Sequence, residues 1–181
     1  LALLVMWAFL LLHVLSPVAK AQDIEPLVIA VVEIQAIMNE AAAAKSIKAQ
    51  IEDKRTHYQV EISSEEARLR KLEQKIAQQR SVLSPESYAK RRREFEVDVA
   101  TVQRIVVDRR RELDQAYADG VRQLQVEISK IIAEIATERG IALVIPEVQT
   151  LFVDNNLRIS REVLRRLDER LPDLTLKFGL N

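Results

Sequence analysis

The chain has 181 residues, with 27 Lys and Arg balanced by 27 Asp and Glu, so its formal net charge is zero. Apolar residues make up 48%, aromatics only 4%, and there are 3 Gly and 5 Pro. That profile argues against turn-rich sandwiches and barrels and for a single helix-rich domain with enough Leu, Ile and Val to fold. Cysteine is absent, which excludes disulfide frameworks, zinc-finger sites and thiol catalysis.

Leu1 to Leu15 form an apolar run interrupted only by His13, followed by Ser16, Pro17 and the triplet Ala19-Lys20-Ala21. A run of this length before small residues two apart reads as a cleaved signal peptide, residues 1–21, with cleavage before Gln22. No Met or basic segment precedes Leu1, so the natural start is expected a few residues upstream. The mature chain would carry a net charge of −1.

After Pro26, the β-branched run Leu27 to Val32 reads as a buried strand, and Ile34 to Glu40 as a short helix. From about Lys45 the apolar spacing becomes heptad-like: Ile51, Tyr58, Ile62, Leu69, Ile76 and Leu83, with Leu72 between. This is a coiled-coil seam on a charged helix. Ser84-Pro85 ends it and supplies an N-cap and first-turn pair for a second helix. There Phe95, Val99, Val102, Val106, Leu113, Tyr117, Leu124, Ile128, Ile131 and Ile135 continue the seam, and Gly140 can terminate it in the left-handed conformation. Helices of about 38 and 53 residues joined by so short a link must fold back as an antiparallel hairpin, with arms of roughly 55 and 80 Å at 1.5 Å per residue.

Ile141 to Ile145 and Thr150 to Val153 read as further strands, Asp154-Asn155-Asn156 as a turn, and Val163, Leu164, Leu167 and Leu171 as one face of a terminal helix ending near Pro172. The expected fold is α+β: a small β-rich oligomerisation body (residues 22–44 and 139–181) from which a long antiparallel coiled-coil hairpin (45–138, apex near 83–86) projects. Ile29, Val31, Ile141, Leu143, Ile145, Leu151 and Val153 are its candidate body or oligomer core. Three short strands would leave open edges in a monomer, so self-association is expected.

Catalytic chemistry finds little footing, and no enzyme, cofactor or metal is expected. His57 is the single histidine after residue 21 and sits on the charged helix, while Gly120, Gly140 and Gly179 are too isolated to form a phosphate loop. Glu65, Glu66 and Asp98 lie among basic residues and read as surface ion pairs. Charge distribution is more informative. Arg68, Arg70, Lys71, Lys75, Arg80, Lys90, Arg91, Arg92 and Arg93 stand against only Glu73 and Glu86, giving net +7 over residues 68–93 at the arm tip. Such a patch suits acidic client segments, anionic lipid or lipopolysaccharide; nucleic acid is not expected of an exported chain. Off the seam, Val60, Val82, Val97 and Val107 could offer weak apolar contacts.

The order of these elements, with Ile29 to Ile34, Ile141 to Ile145 and Ile159 to Leu164 framing the hairpin, resembles the Skp/OmpH family of periplasmic chaperones across nearly all of residues 28–171. The resemblance implies a periplasmic homotrimer whose hairpins surround unfolded outer-membrane proteins without ATP and aid outer-membrane assembly. Well-known members are strongly basic overall, whereas this chain is near neutral and basic only at its tips. The lipopolysaccharide site proposed in the family has no residue-by-residue counterpart here. Two other readings are an envelope coiled-coil adaptor docking one fixed partner, and a lipid- or lipopolysaccharide-surface binder acting through the tips. The tail from Asp173 to Asn181 lies outside the resemblance.

Overall fold

The computed structural model describes residues 27–179, so the expected signal peptide lies outside the described residues. Strand β1 (Ile29–Val32) leads into helix α1 (Ile34–Glu40) and the first arm helix α2 (Ala42–Gln78). A 3-10 turn, Gln79–Ser81, forms the apex before the second arm helix α3 (Pro85–Arg139), and strand β2 (Leu143–Pro146) and helix α4 (Ser160–Arg170) complete the body. The arm helices contain 37 and 55 residues. Their boundaries follow local chemistry. Ser84 accepts a hydrogen bond from the Ser87 N–H with Pro85 in the first turn, and Gly140 closes α3 at φ 63, where a Cβ would be strained.

β1 and β2 pair in parallel, with Ile29 opposite Leu143 and Val31 opposite Ile145. Parallel neighbours require a crossover, and here the whole arm is that crossover. On the other edge of β1 the chain touches once, through the Val31–Arg158 bridge and the Ile159 N–H donated to the Val31 carbonyl. The third expected strand, Thr150 to Val153, does not form. Glu147–Gln149 coils into a 3-10 turn that Thr150 closes through both its N–H and its hydroxyl, and the free edge of β1 is taken by Arg158 instead.

The core is a column of aliphatic side chains at the root of the arm. Ile37, Ile47, Leu124, Ile128, Ile131 and Ile135 are each almost wholly buried, and Val163 and Leu167 of α4 close over them. α1 breaks from α2 at Ala41, whose ψ of 138° redirects the chain and leaves the start of α2 without a local cap. Asp168 of α4 supplies one, its Oδ1 accepting the Ala42 N–H at 2.8 Å, and Ser160 Oγ accepts the Glu33 N–H at 2.8 Å. Both bonds join parts of the sequence more than 120 residues apart. Along the outside, Arg166 meets Glu138 at 2.6 Å and Arg170 meets Glu134 at 2.7 Å, riveting α4 to the end of α3.

Further out, the seam thins. Ile51, Tyr58, Ile76 and Val102 are buried, but Val106 and Tyr117, both expected in the seam, are 40% and 44% exposed. Beside Tyr117, Ala116 and Gly120 take the inward positions instead, because another segment passes close to the helix there. Strict sevens drift around a 3.6-residue helix, so a stripe read over 53 residues loses its face.

Ile131→Ala should cost about 3 kcal/mol, since no rearrangement of the enclosing column can refill the space; urea denaturation checks this, and a loss below about 1 kcal/mol would contradict the packing. Arg165 and then Arg166 hold the Glu162 carboxyl down at about 2. A folded-state value below the ordinary 4.5 gives stability that is present above pH 4.5 and lost as pH falls towards 2. Glu162→Gln should therefore flatten the melting temperature against pH across that window.

Candidate functional site

Three surfaces deserve the name of candidate site, and the first is the arm tip. Of the nine basic residues expected there, Arg68 is engaged across the hairpin, reaching Asp98 at 2.9 Å as well as Glu65 on its own helix at 2.9 Å. Arg70 and Arg92 make looser same-helix pairs with Glu66 and Glu96, each at 3.8 Å. Lys71, Lys75, Arg80, Lys90, Arg91 and Arg93 are exposed and make no ion pair among the described residues. Val60, Val82, Val97 and Val107 also stay exposed. His57 is exposed, as expected.

The second surface is on the body. Of the seven candidate body residues only Val31 is buried; Ile29, Ile141, Ile145 and Val153 are half-buried, and Leu143 is 46% exposed. Leu151 is wholly exposed and its neighbour Phe152 is 87% exposed, with Val148 at 90%. Within the protomer, Leu143 and Leu151 therefore lie outside the buried core: lacking a strand partner, Leu151 and Phe152 present their side chains outwards. Three such side chains close in sequence form the kind of patch that monomeric surfaces rarely carry.

The third surface was not visible in the sequence. Beyond Pro172 the tail runs extended along the groove between α2 and α3, towards the tip. Leu174 and Leu176 are buried, Phe178 is half-buried, and Thr175, Lys177 and Gly179 face out. Gln50 grips the tail backbone from both sides of Thr175: its Nε2 donates to the Leu174 carbonyl at 2.7 Å, and its Oε1 accepts the Leu176 N–H at 3.0 Å. Ser46 Oγ accepts the second amide proton at 3.0 Å, fixing the orientation of Gln50. Gly120 makes room; a Cβ there would lie 2.6 Å from a Leu176 methyl.

Beside Phe178, a polar cluster interrupts the seam. Arg109 bridges the helices, with Nη2 on Glu61 Oε1 at 3.0 Å, Nη1 on Glu112 Oε2 at 3.2 Å, and its guanidinium 4.6 Å from the Tyr58 ring centre. The hydrogen bond from Arg109 holds the Glu61 carboxyl below its usual range. Burial, reinforced by Glu112, pushes the Tyr58 hydroxyl up to about 12. Lys54 sits over the Tyr58 ring at 5.0 Å and the Phe178 ring at 5.4 Å, coupling the cluster to the tail. Individually charged residues among apolar seam positions gave no signal in the sequence. Only their mutual spacing across the hairpin makes them a unit. Among the described residues no group of acidic and histidine side chains is arranged to hold a metal, and no helix is long and apolar enough to cross a membrane.

Arg109→Leu should destabilise the chain by about 2 kcal/mol, because it strands the buried Glu112 carboxylate, whereas Arg68→Leu, at a solvent-exposed pair, should cost far less. Adding Glu112→Leu to Arg109→Leu should restore part of the loss; thermal denaturation of the four proteins checks the cycle, and no recovery would mean that Glu112 is not the source.

A search of the curated proteins finds no match. Among solved structures, the fold is similar to that of a proposed outer membrane chaperone (OmpH-like) from Caulobacter crescentus CB15, with a TM-score of 0.79 and 12% identity, covering 86% of this chain and 92% of that one. At that identity the likeness speaks for the fold. The family model described as "Outer membrane protein (OmpH-like)" matches residues 28–167, from β1 through α4 and stopping short of the tail. The chain belongs to the OmpH-like family.

Proposed function

We propose that this chain is an ATP-independent holdase chaperone of the periplasm, working as a homotrimer whose arms surround unfolded outer-membrane proteins. The observation that carries the reading is the joining of an outward apolar patch, Val148, Leu151 and Phe152, on a small body to a charged arm whose longer helix has 55 residues. Such a body gains by covering its patch with further copies, and copies assembled there would hold several arms side by side. Membership of the OmpH-like family and the name borne by the Caulobacter crescentus protein of the same fold support a chaperone role.

Physically, holding on this reading requires no chemical step. Many weak contacts from tethered arms raise the local concentration of binding surface, and binding to the unfolded client alone withdraws it from aggregation by mass action. Exposed single valines on an otherwise charged surface suit that task, because each contact is weak enough to be released. The unpaired cations at the tips favour a second contact, with acidic client segments or anionic head groups, including lipopolysaccharide.

Residues 22–181 should sediment as a trimer at micromolar concentration and delay aggregation of a urea-diluted outer-membrane barrel. The double variant Leu151→Asp with Phe152→Asp should sediment as a folded monomer of unchanged helicity and lose most of that protection. A monomeric parent, or a parent that leaves aggregation unchanged, would overturn the reading.

A further inference from the structure

The tail groove has the features of a binding site whose ligand happens to be the chain's own segment from Leu174 to Phe178. Gln50 addresses a carbonyl at one residue and an N–H two residues on, the two groups that one residue of a parallel neighbouring strand would bond. Neither bond depends on the side chain at Thr175, which faces solvent. Inward positions recur at every second residue, Leu174, Leu176 and Phe178, which is the period of a β-strand with one apolar face. The Gly120 gap admits a branched aliphatic side chain, and Lys54 above Phe178 suits an aromatic one.

Nothing in this set is specific to the tail. What is read is an extended backbone with apolar residues at i, i+2 and i+4, and that is the pattern of a strand from an outer-membrane barrel, apolar on its lipid face and polar on the other. The tail is also held in a replaceable way. Two buried leucines, one backbone pair and a half-buried phenylalanine fix it, and neither Asp173 nor Lys177 makes an ion pair among the described residues. Pro172 precedes it and ends the helical pattern of α4, so its release need not unwind that helix.

We propose that the groove between α2 and α3, built on Gln50, Ile47, Gly120 and Lys54, is a receptor for one extended, alternating β-strand of an unfolded barrel protein, and that residues 173–179 occupy it in cis as a competing stand-in. The proposal rests on the holdase reading for its ligand. It adds a defined site, reading backbone and alternation, to the diffuse contacts of the arms.

The test uses the full mature chain and two fluorescein-labelled ten-residue peptides, one a lipid-facing strand of an outer-membrane barrel and the other the same composition with its apolar residues made consecutive. Leu174→Asp with Leu176→Asp, which releases the tail, should bind the alternating peptide about 10-fold more tightly than the parent. Adding Gln50→Ala should remove that gain, and the rearranged peptide should show none. Equal affinity for the parent and the released variant, or for the two peptides, would overturn the proposal, as would a groove that binds the chain's own tail peptide but no barrel strand.

Should the released variant lose its helicity, hydrogen exchange on the parent decides. Saturating alternating peptide should speed exchange of the Leu176 N–H about 10-fold, and an unchanged rate would overturn the proposal. Aggregation assays on the parent separate the two readings. A parent that protects clients while its groove ignores the strand peptide sinks only this inference, and one that binds the peptide without protecting clients sinks only the holdase.

Discussion

Closing the root of the hairpin is the constraint on which the rest of the molecule depends. A two-stranded sheet is not stable by itself in water, and here its strands are separated by the full length of both arm helices. The distance along the chain matters less than it looks, since loop-closure entropy grows only by about 0.6 kcal/mol for each doubling. What brings β1 and β2 together is that the rigid arm returns its two ends to one place. The aliphatic column of Ile47, Leu124, Ile128, Ile131 and Ile135 then buries against α4, whose Asp168 caps α2 and whose Ser160 accepts the β1 end. Arm and body are thus one cooperative unit at the root, and the arm beyond it is free to project.

Projection creates a register problem. A repetitive seam can slip by a turn at small cost, and the outer part of this arm has few buried side chains to prevent it. The Arg109 cluster supplies the penalty. Only one alignment of α2 and α3 puts Glu61, Glu112 and the Tyr58 ring around a single guanidinium, and a slip would carry Glu61 and Tyr58 of α2 away from Arg109, which stays with Glu112 on α3. Arg68 repeats the device nearer the tip, bridging to Asp98 where solvent makes each pair weaker. Polar residues in the seam therefore do for alignment what more leucines could not.

Much of this architecture was legible because its signals are local. Heptad spacing, the Ser84-Pro85 start, the Gly140 stop and the short helix from Ile34 to Glu40 all state their structure within a few residues. The misreadings share one cause. Thr150 to Val153 has strand composition but finds no edge in the protomer; Tyr117 has seam spacing but yields to Ala116 and Gly120 where the tail passes. The tail itself, Gln50 and the Asp168 cap are invisible without the fold, since each acts on a partner more than 120 residues away. Tertiary partners decided these positions, and a single sequence carries no record of them.

The neutral total charge also resolves into parts with different jobs. On the body, four of the cations are engaged: Arg158, Arg165, Arg166 and Arg170 pair with carboxylates at 2.6 to 2.9 Å. At the tip six of the nine basic residues make no ion pair among the described residues, and their mutual repulsion is a cost to the protomer. A charged tip on a long lever stays hydrated, which a tip of apolar side chains would not do. Apolar contact is placed instead at the body patch and in the tail groove, both near the root. The neutral total therefore conceals a basic arm tip, while the apolar surface is gathered near the root.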